Sequence, residues 1–354
     1  MAKPMTYREQ EKIENTVKLR EFLQELPPYV KDYFRAKELT TSDKTRLSYA
    51  YDLRVFFRFL QESNPALMSR SMSDISIQDL SNLQPVDFEE FQEYLKAYKA
   101  PDNKLETNSR TGIARKMSCL RSFYDYLCKR QLIQSNPVRL VDMPKIKEKA
   151  IIQLDPDEVA SLLDYIENYG NQFTGVKLYH YNKQKYRDIA IVTLLLGTGV
   201  RVSELVGLNI SDIDFKNNGI RILRKGGNEM IVYFGEEVEK ALKDYLEISR
   251  NAITPLSGHE DALFLSGQRR RISVDAVEKM VKKYASAISA KTITPHKLRS
   301  TYGTALYRET GDIYLVADVL GHADVNTTKK HYAKLSDARR RAASKAVTLR
   351  EKID

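Results

Sequence analysis

Apolar residues recur at helical spacing along most of this chain, and the period changes decisively in one place. Between positions 213 and 234 lie three short apolar runs: Ile213-Asp214-Phe215, Gly219-Ile220-Arg221-Ile222-Leu223 and Met230-Ile231-Val232-Tyr233-Phe234. Asn217-Asn218-Gly219 and Lys225-Gly226-Gly227-Asn228 separate them. Short runs bounded by such residues predict three strands joined by tight turns. The expected fold class is therefore mainly α with a small antiparallel β-sheet (α+β). At 354 residues the chain is too long for one ordinary domain and is read as two.

The helical stretches locate those domains. In an N-terminal helical extension, 1–40, Val17, Leu19, Phe22, Leu23 and Leu26 form an apolar stripe that Pro27-Pro28 ends. Thr41 or Ser42 caps the next helix, with Leu47, Ala50, Leu53, Phe56, Phe57 and Leu60 on one face. Val86-Asp87-Phe88 opens a third helix, through about position 98. Asn108 or Ser109 begins a fourth, carrying Ile113, Met117, Leu120, Phe123, Tyr124 and Leu127. Residues 41–134 thus read as a helical bundle with no strand signal. Ser135-Asn136-Pro137-Val138 breaks the pattern, and the lysine-rich run that follows contains Pro144. The segment 135–152 reads as a linker, although its first half would equally suit a surface loop.

The second domain, 153–354, opens on Leu154-Asp155-Pro156-Asp157-Glu158, a capped helix start with proline in the first turn. A strongly apolar helix over 186–196 ends at Gly197-Thr198-Gly199, and a short helix covers 202–208. Helical pattern resumes near position 275 and includes helices over 312–320 and 325–335.

Formal net charge is +10, which favours a polyanionic partner, foremost nucleic acid. No apolar run approaches a membrane span, and the charged start does not read as a signal peptide. Cys119 and Cys128, the only cysteines, fall in one helix, which argues against a disulfide framework or a cysteine zinc site. A reduced, cytoplasmic protein is expected.

The chemistry-bearing residues concentrate near the C-terminus. Thr294-Pro295-His296-Lys297-Leu298-Arg299 is followed by Leu320-Gly321-His322 and then Tyr332. Imidazoles exchange protons near neutral pH, a guanidinium grips phosphate through parallel hydrogen bonds, and a tyrosine hydroxyl can act as a covalent nucleophile. Together they point to phosphoryl chemistry without a metal. Pro295 suits a first helical turn with Thr294 as its cap, and His296 and Arg299 then share a helix face. His322 follows a Gly-His step that would also serve as a plain C-cap. Tyr332 is the only tyrosine beyond Tyr314, and its bland reading is a packing residue.

Upstream, Arg201 follows Gly197-Thr198-Gly199-Val200 and falls near a helix N-terminus, where phosphate binds well. Glu204, three residues on, either orients the guanidinium or forms an ordinary surface pair with it. Lys225, at the tip of the predicted hairpin, is either solvated or able to reach a DNA groove. No His-Glu-x-x-His pattern or tight carboxylate cluster marks a metal site, and no cofactor is expected.

In order and kind these residues resemble the tyrosine site-specific recombinases, the phage integrase family. Gly199-Val200-Arg201-Val202-Ser203-Glu204-Leu205 resembles the first-arginine motif, and Lys225 the hairpin lysine. His296-Lys297-Leu298-Arg299 resembles the His-x-x-Arg motif, Leu320-Gly321-His322 the second histidine motif, and Tyr332 the nucleophile. Each match alone is weak, but the ordered set is specific. The helical bundle is similar to the family's core-binding domain. Within the family the chain is similar to the Xer type, and its length and N-terminal extension to the single-protein XerS type. One departure is that Tyr332 stands ten residues after His322, where many Xer relatives have nine.

The resemblance implies a helical core-binding domain followed by a tyrosine-recombinase catalytic domain. It implies catalytic roles for Arg201, Lys225, His296, Arg299, His322 and the nucleophile Tyr332, with Glu204 in support. It implies double-stranded DNA with a specific recombination site as partner, and a homotetramer in the synaptic complex. Chromosome-dimer resolution at a dif-like site during cell division, triggered by a septal DNA translocase, follows for a Xer protein. A phage or transposon integrase would carry the same groups. A type IB topoisomerase would share the tyrosine chemistry without strand exchange. A non-catalytic architectural DNA-binding protein would need the charge and not the six groups.

Overall fold

The computed structural model describes residues 7–146, 152–224, 228–321 and 325. The chain divides into two compact units, Met1–Lys149 and Ala150–Asp354.

The first unit is helical. It comprises α1 (Tyr7–Phe22), α2 (Pro28–Ala36), α3 (Asp43–Ser63), α4 (Ile77–Ser81), α5 (Pro85–Tyr94) and α6 (Arg110–Lys129). Ser42 caps α3 by accepting from the Thr45 N–H at 3.3 Å, and Ser109 caps α6 by accepting from the Gly112 N–H at 3.3 Å. The predicted apolar faces of α3 and α6 meet in an aromatic core. Phe56 stacks on Phe88 at 5.7 Å between centroids, and Phe88 meets Tyr124 edge-on at 5.3 Å. Each such ring contributes about 1.5–3 kcal/mol through burial, so these helices need few polar ties. One ionic tie nevertheless joins them, between buried Asp52 and a half-exposed arginine. Arg115 on α6 donates to both oxygens of Asp52 on α3, at 2.6 and 2.8 Å. Desolvation pushes the Asp52 carboxyl above its usual range, and the Arg115 charge opposes that.

Four expectations for this unit need correction. Helix α1 ends at Phe22, ahead of Pro27-Pro28 and not at them, and Pro28 occupies the first position of a second helix, α2. Leu19, Leu23 and Leu26 are buried, but Val17 is 47% exposed and lies off the packed stripe. The third helix ends at Tyr94; Tyr98 instead begins a two-residue strand, β1 (Tyr98–Lys99), paired antiparallel with β2 (Leu105–Glu106). Two-residue strands are too short to carry a legible alternation. Finally, Pro137–Leu140 in the segment read as a linker forms a 3-10 turn. Val138 and Val141 are buried in the first unit's core, and Arg121 donates to both their carbonyls.

The second unit comprises α7 (Pro156–Asn168), α8 (Gly175–Thr198), α9 (Val202–Gly207), a three-stranded sheet, α10 (Glu236–Asp244), α11 (Val274–Ile288), α12 (Pro295–Thr310) and α13 (Ile313–Leu320). The sheet holds β3 (Ile213–Asp214), β4 (Gly219–Leu223) and β5 (Glu229–Tyr233), antiparallel in that order. Ile220 pairs with both Ile213 and Val232, and Ile220, Ile222 and Val232 are buried. The three strands match the sequence expectation. The central helix α8 begins eleven residues before the expected 186. Its first half is polar and mostly exposed, so only the buried second half shows an apolar signal. A single π-helical turn, Tyr245–Arg250, follows α10. Buried Arg250 there donates to the carbonyls of Glu260 and Ala262 and so fixes the following loop.

Candidate active site

The site is built where α8 ends. Gly199 caps α8 in the left-handed conformation, φ +63°, which glycine adopts without a Cβ penalty. It is also hemmed in: a Cβ there would lie 2.4 Å from Cδ1 of Tyr302 on α12 and 2.9 Å from Cδ2 of Leu320 on α13. The same glycine therefore turns the chain and lets α12 and α13 approach its backbone. Two residues later the chain enters α9 with Arg201 at the N-cap position.

Glu204 holds Arg201 at two points. It accepts from the Arg201 backbone N–H at 2.8 Å and from guanidinium Nη1 at 2.9 Å. The glutamate side chain is only 3% exposed and the arginine's 36%, so the pair is anchored on its acidic side rather than solvated throughout. The other terminal nitrogen, Nη2, donates to the Gly321 carbonyl at 3.0 Å.

Arg299 reaches the same place from α12. It is buried, and its two terminal nitrogens donate to the carbonyls of Gly199 and Leu320. His296, one turn earlier on α12, is exposed. Pro295 occupies the first position of this helix as expected, but the Thr294 side chain makes no capping hydrogen bond, contrary to expectation. Thr301, further along α12, accepts instead from the Leu154 N–H at 3.0 Å and ties the start of the unit to this helix.

A third guanidinium, absent from the sequence reading, completes the cluster. Arg224, at the end of β4, donates to the carbonyls of Asp318 at 3.2 Å and Val319 at 2.6 Å. The last carbonyls of a helix have no partners within it and carry partial negative charge. Here the carbonyls of residues 318–321 all receive arginines, from α9, α12 and the sheet. Gly321 takes φ +62° at the end of α13, where a Gly-His step permits a C-cap. Burial lowers the pKa of Arg224 below the ordinary arginine value. A signal for it was present in the sequence: Arg224 adjoins Lys225 immediately before the paired glycines of the turn.

Of the predicted site residues, the structure brings Arg201, Glu204 and Arg299 together, with His296 one turn from Arg299. Lys225, His322 and Tyr332 lie outside the described residues. Among the described residues no group of three or more His, Cys, Asp or Glu side chains could hold a metal ion, and no helix is long and apolar enough to cross a membrane.

Comparison with known proteins finds matches to both units. The model of the phage integrase family matches residues 153–339, and that of the phage integrase N-terminal SAM-like domain matches residues 28–131. The chain is 33% identical over 332 residues to tyrosine recombinase XerC of Caldanaerobacter subterraneus subsp. tengcongensis, covering 90% of this chain and 86% of the relative. It is 32% identical over 350 residues to tyrosine recombinase XerS of Streptococcus agalactiae, covering 93% and 98%. Its fold is similar to that of the XerH site-specific recombinase bound to palindromic difH substrate in a post-cleavage complex. That TM-score is 0.66 at 20% identity, over 97% of this chain and 90% of the other.

Proposed function

The chain belongs to the phage integrase family of tyrosine recombinases, and from that premise we propose that it is a site-specific recombinase that cuts and rejoins double-stranded DNA. The observation that carries the reading is the meeting of Arg201 and Arg299 beside the end of α13, with Glu204 anchoring the first of them. Two guanidiniums on separate helices can each donate to a different non-bridging oxygen of one phosphate.

In the proposed reaction the Tyr332 hydroxyl attacks a backbone phosphorus. The P–O5′ bond breaks, leaving a 3′-phosphotyrosine and a free 5′-hydroxyl. His296 accepts the tyrosine proton and Lys225 supplies a proton to the departing O5′. Arg201 and Arg299 stabilise the charge that builds on the non-bridging oxygens, and His322 hydrogen-bonds the phosphate. A guanidinium has five N–H donors, so the carbonyl contacts of Arg201 leave others for an incoming phosphate. A 5′-hydroxyl of the partner duplex then attacks the phosphotyrosine and restores a phosphodiester, so bond energy is conserved. Repeating the exchange on the second pair of strands passes through a Holliday junction.

The relatives' Xer names are consistent with chromosome-dimer resolution at a dif-like site; the same proposal includes a homotetramer in the synaptic complex and control by a septal DNA translocase. The formal charge of +10 suits phosphate contacts that give most of the affinity and make it salt-dependent. An integrase of a mobile element is the second reading and uses the same chemistry.

The test is a nicked duplex carrying a dif-like site, which traps the covalent adduct. The adduct is expected to survive denaturant and chelator, and Tyr332→Phe should abolish it while leaving DNA binding intact. An undiminished adduct in that variant would overturn the assignment.

A further inference from the structure

We infer that Arg224 is a positioning residue for the cleavage step, locking the β4–β5 hairpin to the end of α13. Its backbone closes the hairpin, donating from N–H to the Asn228 carbonyl at 2.8 Å. Its side chain leaves the hairpin and spans two successive carbonyls of α13, those of Asp318 at 3.2 Å and Val319 at 2.6 Å. A planar fork can bridge two acceptors in this way, whereas a lysine ammonium is a point charge.

Gly321 makes the lock possible. A Cβ on residue 321 would fall 1.3 Å from Nη1 of Arg224 and 2.2 Å from its Cζ. The left-handed backbone, φ +62°, independently calls for glycine. The guanidinium therefore occupies the space that the missing side chain vacates.

The consequence lies in chain connectivity. Arg224 directly precedes Lys225, and Gly321 directly precedes His322. The contact thus fixes the point where the chain departs toward the proton donor, holding it against the helix end that precedes the phosphate-binding histidine. A displacement of about 1 Å in such a group can slow a reaction by about a hundredfold without disturbing binding. The inference rests on the reading of Lys225 as the acid that gives its proton to O5′ as P–O5′ breaks.

The test separates positioning of the acid from simple capping of α13. Wild type, Lys225→Ala, Arg224→Ala and Arg224→Gln are compared on two nicked duplexes carrying a dif-like site. One is ordinary DNA, and the other has sulfur in place of the bridging O5′, a leaving group that departs without a proton. On ordinary DNA, Arg224→Ala is expected to cleave about a hundredfold more slowly with unchanged DNA affinity. On the sulfur substrate both Arg224→Ala and Lys225→Ala should return to the wild-type rate. Arg224→Gln, which keeps an amide donor, should show a smaller defect with the same recovery, and it carries the test if the alanine variant does not fold. If Lys225→Ala recovers while the Arg224 variants stay slow, the inference is overturned and the acid assignment stands. If Lys225→Ala itself stays slow, the acid assignment fails and the inference falls with it. Wild-type cleavage of ordinary DNA by both Arg224 variants would also overturn it.

Discussion

Glu204 grips Arg201 at both ends of the residue, accepting from its backbone N–H at 2.8 Å and from its guanidinium at 2.9 Å. The guanidinium is thereby oriented by a buried carboxylate before any phosphate arrives. Glu204→Gln keeps the shape and one acceptor oxygen but loses the charge. Cleavage should fall by about tenfold, the rate equivalent of about 1.4 kcal/mol, with DNA affinity unchanged. Single-turnover adduct formation beside a gel-shift titration checks this, and equal losses in both would count against an orienting role.

Arg201 and Arg299 should separate in stability while agreeing in catalysis. Each, changed to alanine, is expected to lose about 10²–10³-fold in cleavage, as for removal of one oxyanion donor. Arg299 is 4% exposed and bonds the carbonyls of Gly199 and Leu320, so its removal leaves buried acceptors unpaired. Thermal unfolding should therefore show the larger fall in Tm for Arg299→Ala and a smaller one for Arg201→Ala, which takes the guanidinium from buried Glu204 but leaves it the backbone N–H of residue 201. Equal Tm values in the two variants would contradict this account.

Gly199→Ala meets two penalties at once. The backbone sits at φ +63°, and the new Cβ would lie 2.4 Å from Tyr302. Left-handed backbone costs an L-residue about 1–2 kcal/mol, and overpacking adds about 1–3 kcal/mol. The urea midpoint of the second unit should fall at an unchanged m-value. Stability equal to wild type would show that α12 and α13 do not press on this glycine.

Glu158 should produce an acid-dependent loss of stability. It accepts from Lys291 Nζ at 2.6 Å, the Asp155 N–H at 2.9 Å and Ser289 Oγ at 2.9 Å, tying the start of α7 to the segment between α11 and α12. Its pKa is lowered by Lys291 first and by the Asp155 N–H next, against some desolvation. A depressed folded pKa contributes stability above the unfolded value of about 4.3. That contribution is lost as pH falls through the folded value. Glu158→Gln should cost about 1 kcal/mol at neutral pH, and the difference from wild type should vanish in strong acid. Urea titrations at both pH values check it; a difference that persists in acid would assign the effect to packing.

Local signals in the sequence account for much of this fold. The apolar faces of α3 and α6, the three strands over 213–233 and the glycine turn at 199 each follow from spacing or backbone permission. Other features left little local trace. The first half of α8 is polar because water covers it, and β1 and β2 are too short to alternate. Buried Asp52 and half-exposed Arg115, 63 residues apart, form an ion pair that no local pattern announces. Arg224 carries no local signal beyond its place beside Lys225, since what matters about it is contact with a helix residue 94 positions away.

The sequence by itself determined the family, the helical character, the small sheet and the order of the chemical groups. Period, turn chemistry and motif order are local properties of the chain. Only the tertiary structure decided that Arg201, Arg224 and Arg299 converge on one helix end, that Glu204 is buried, and that His296 is exposed while Arg299 is not. Burial and long-range hydrogen bonding depend on which segments pack against one another, and residues distant in the chain acquire those properties only when the helices meet.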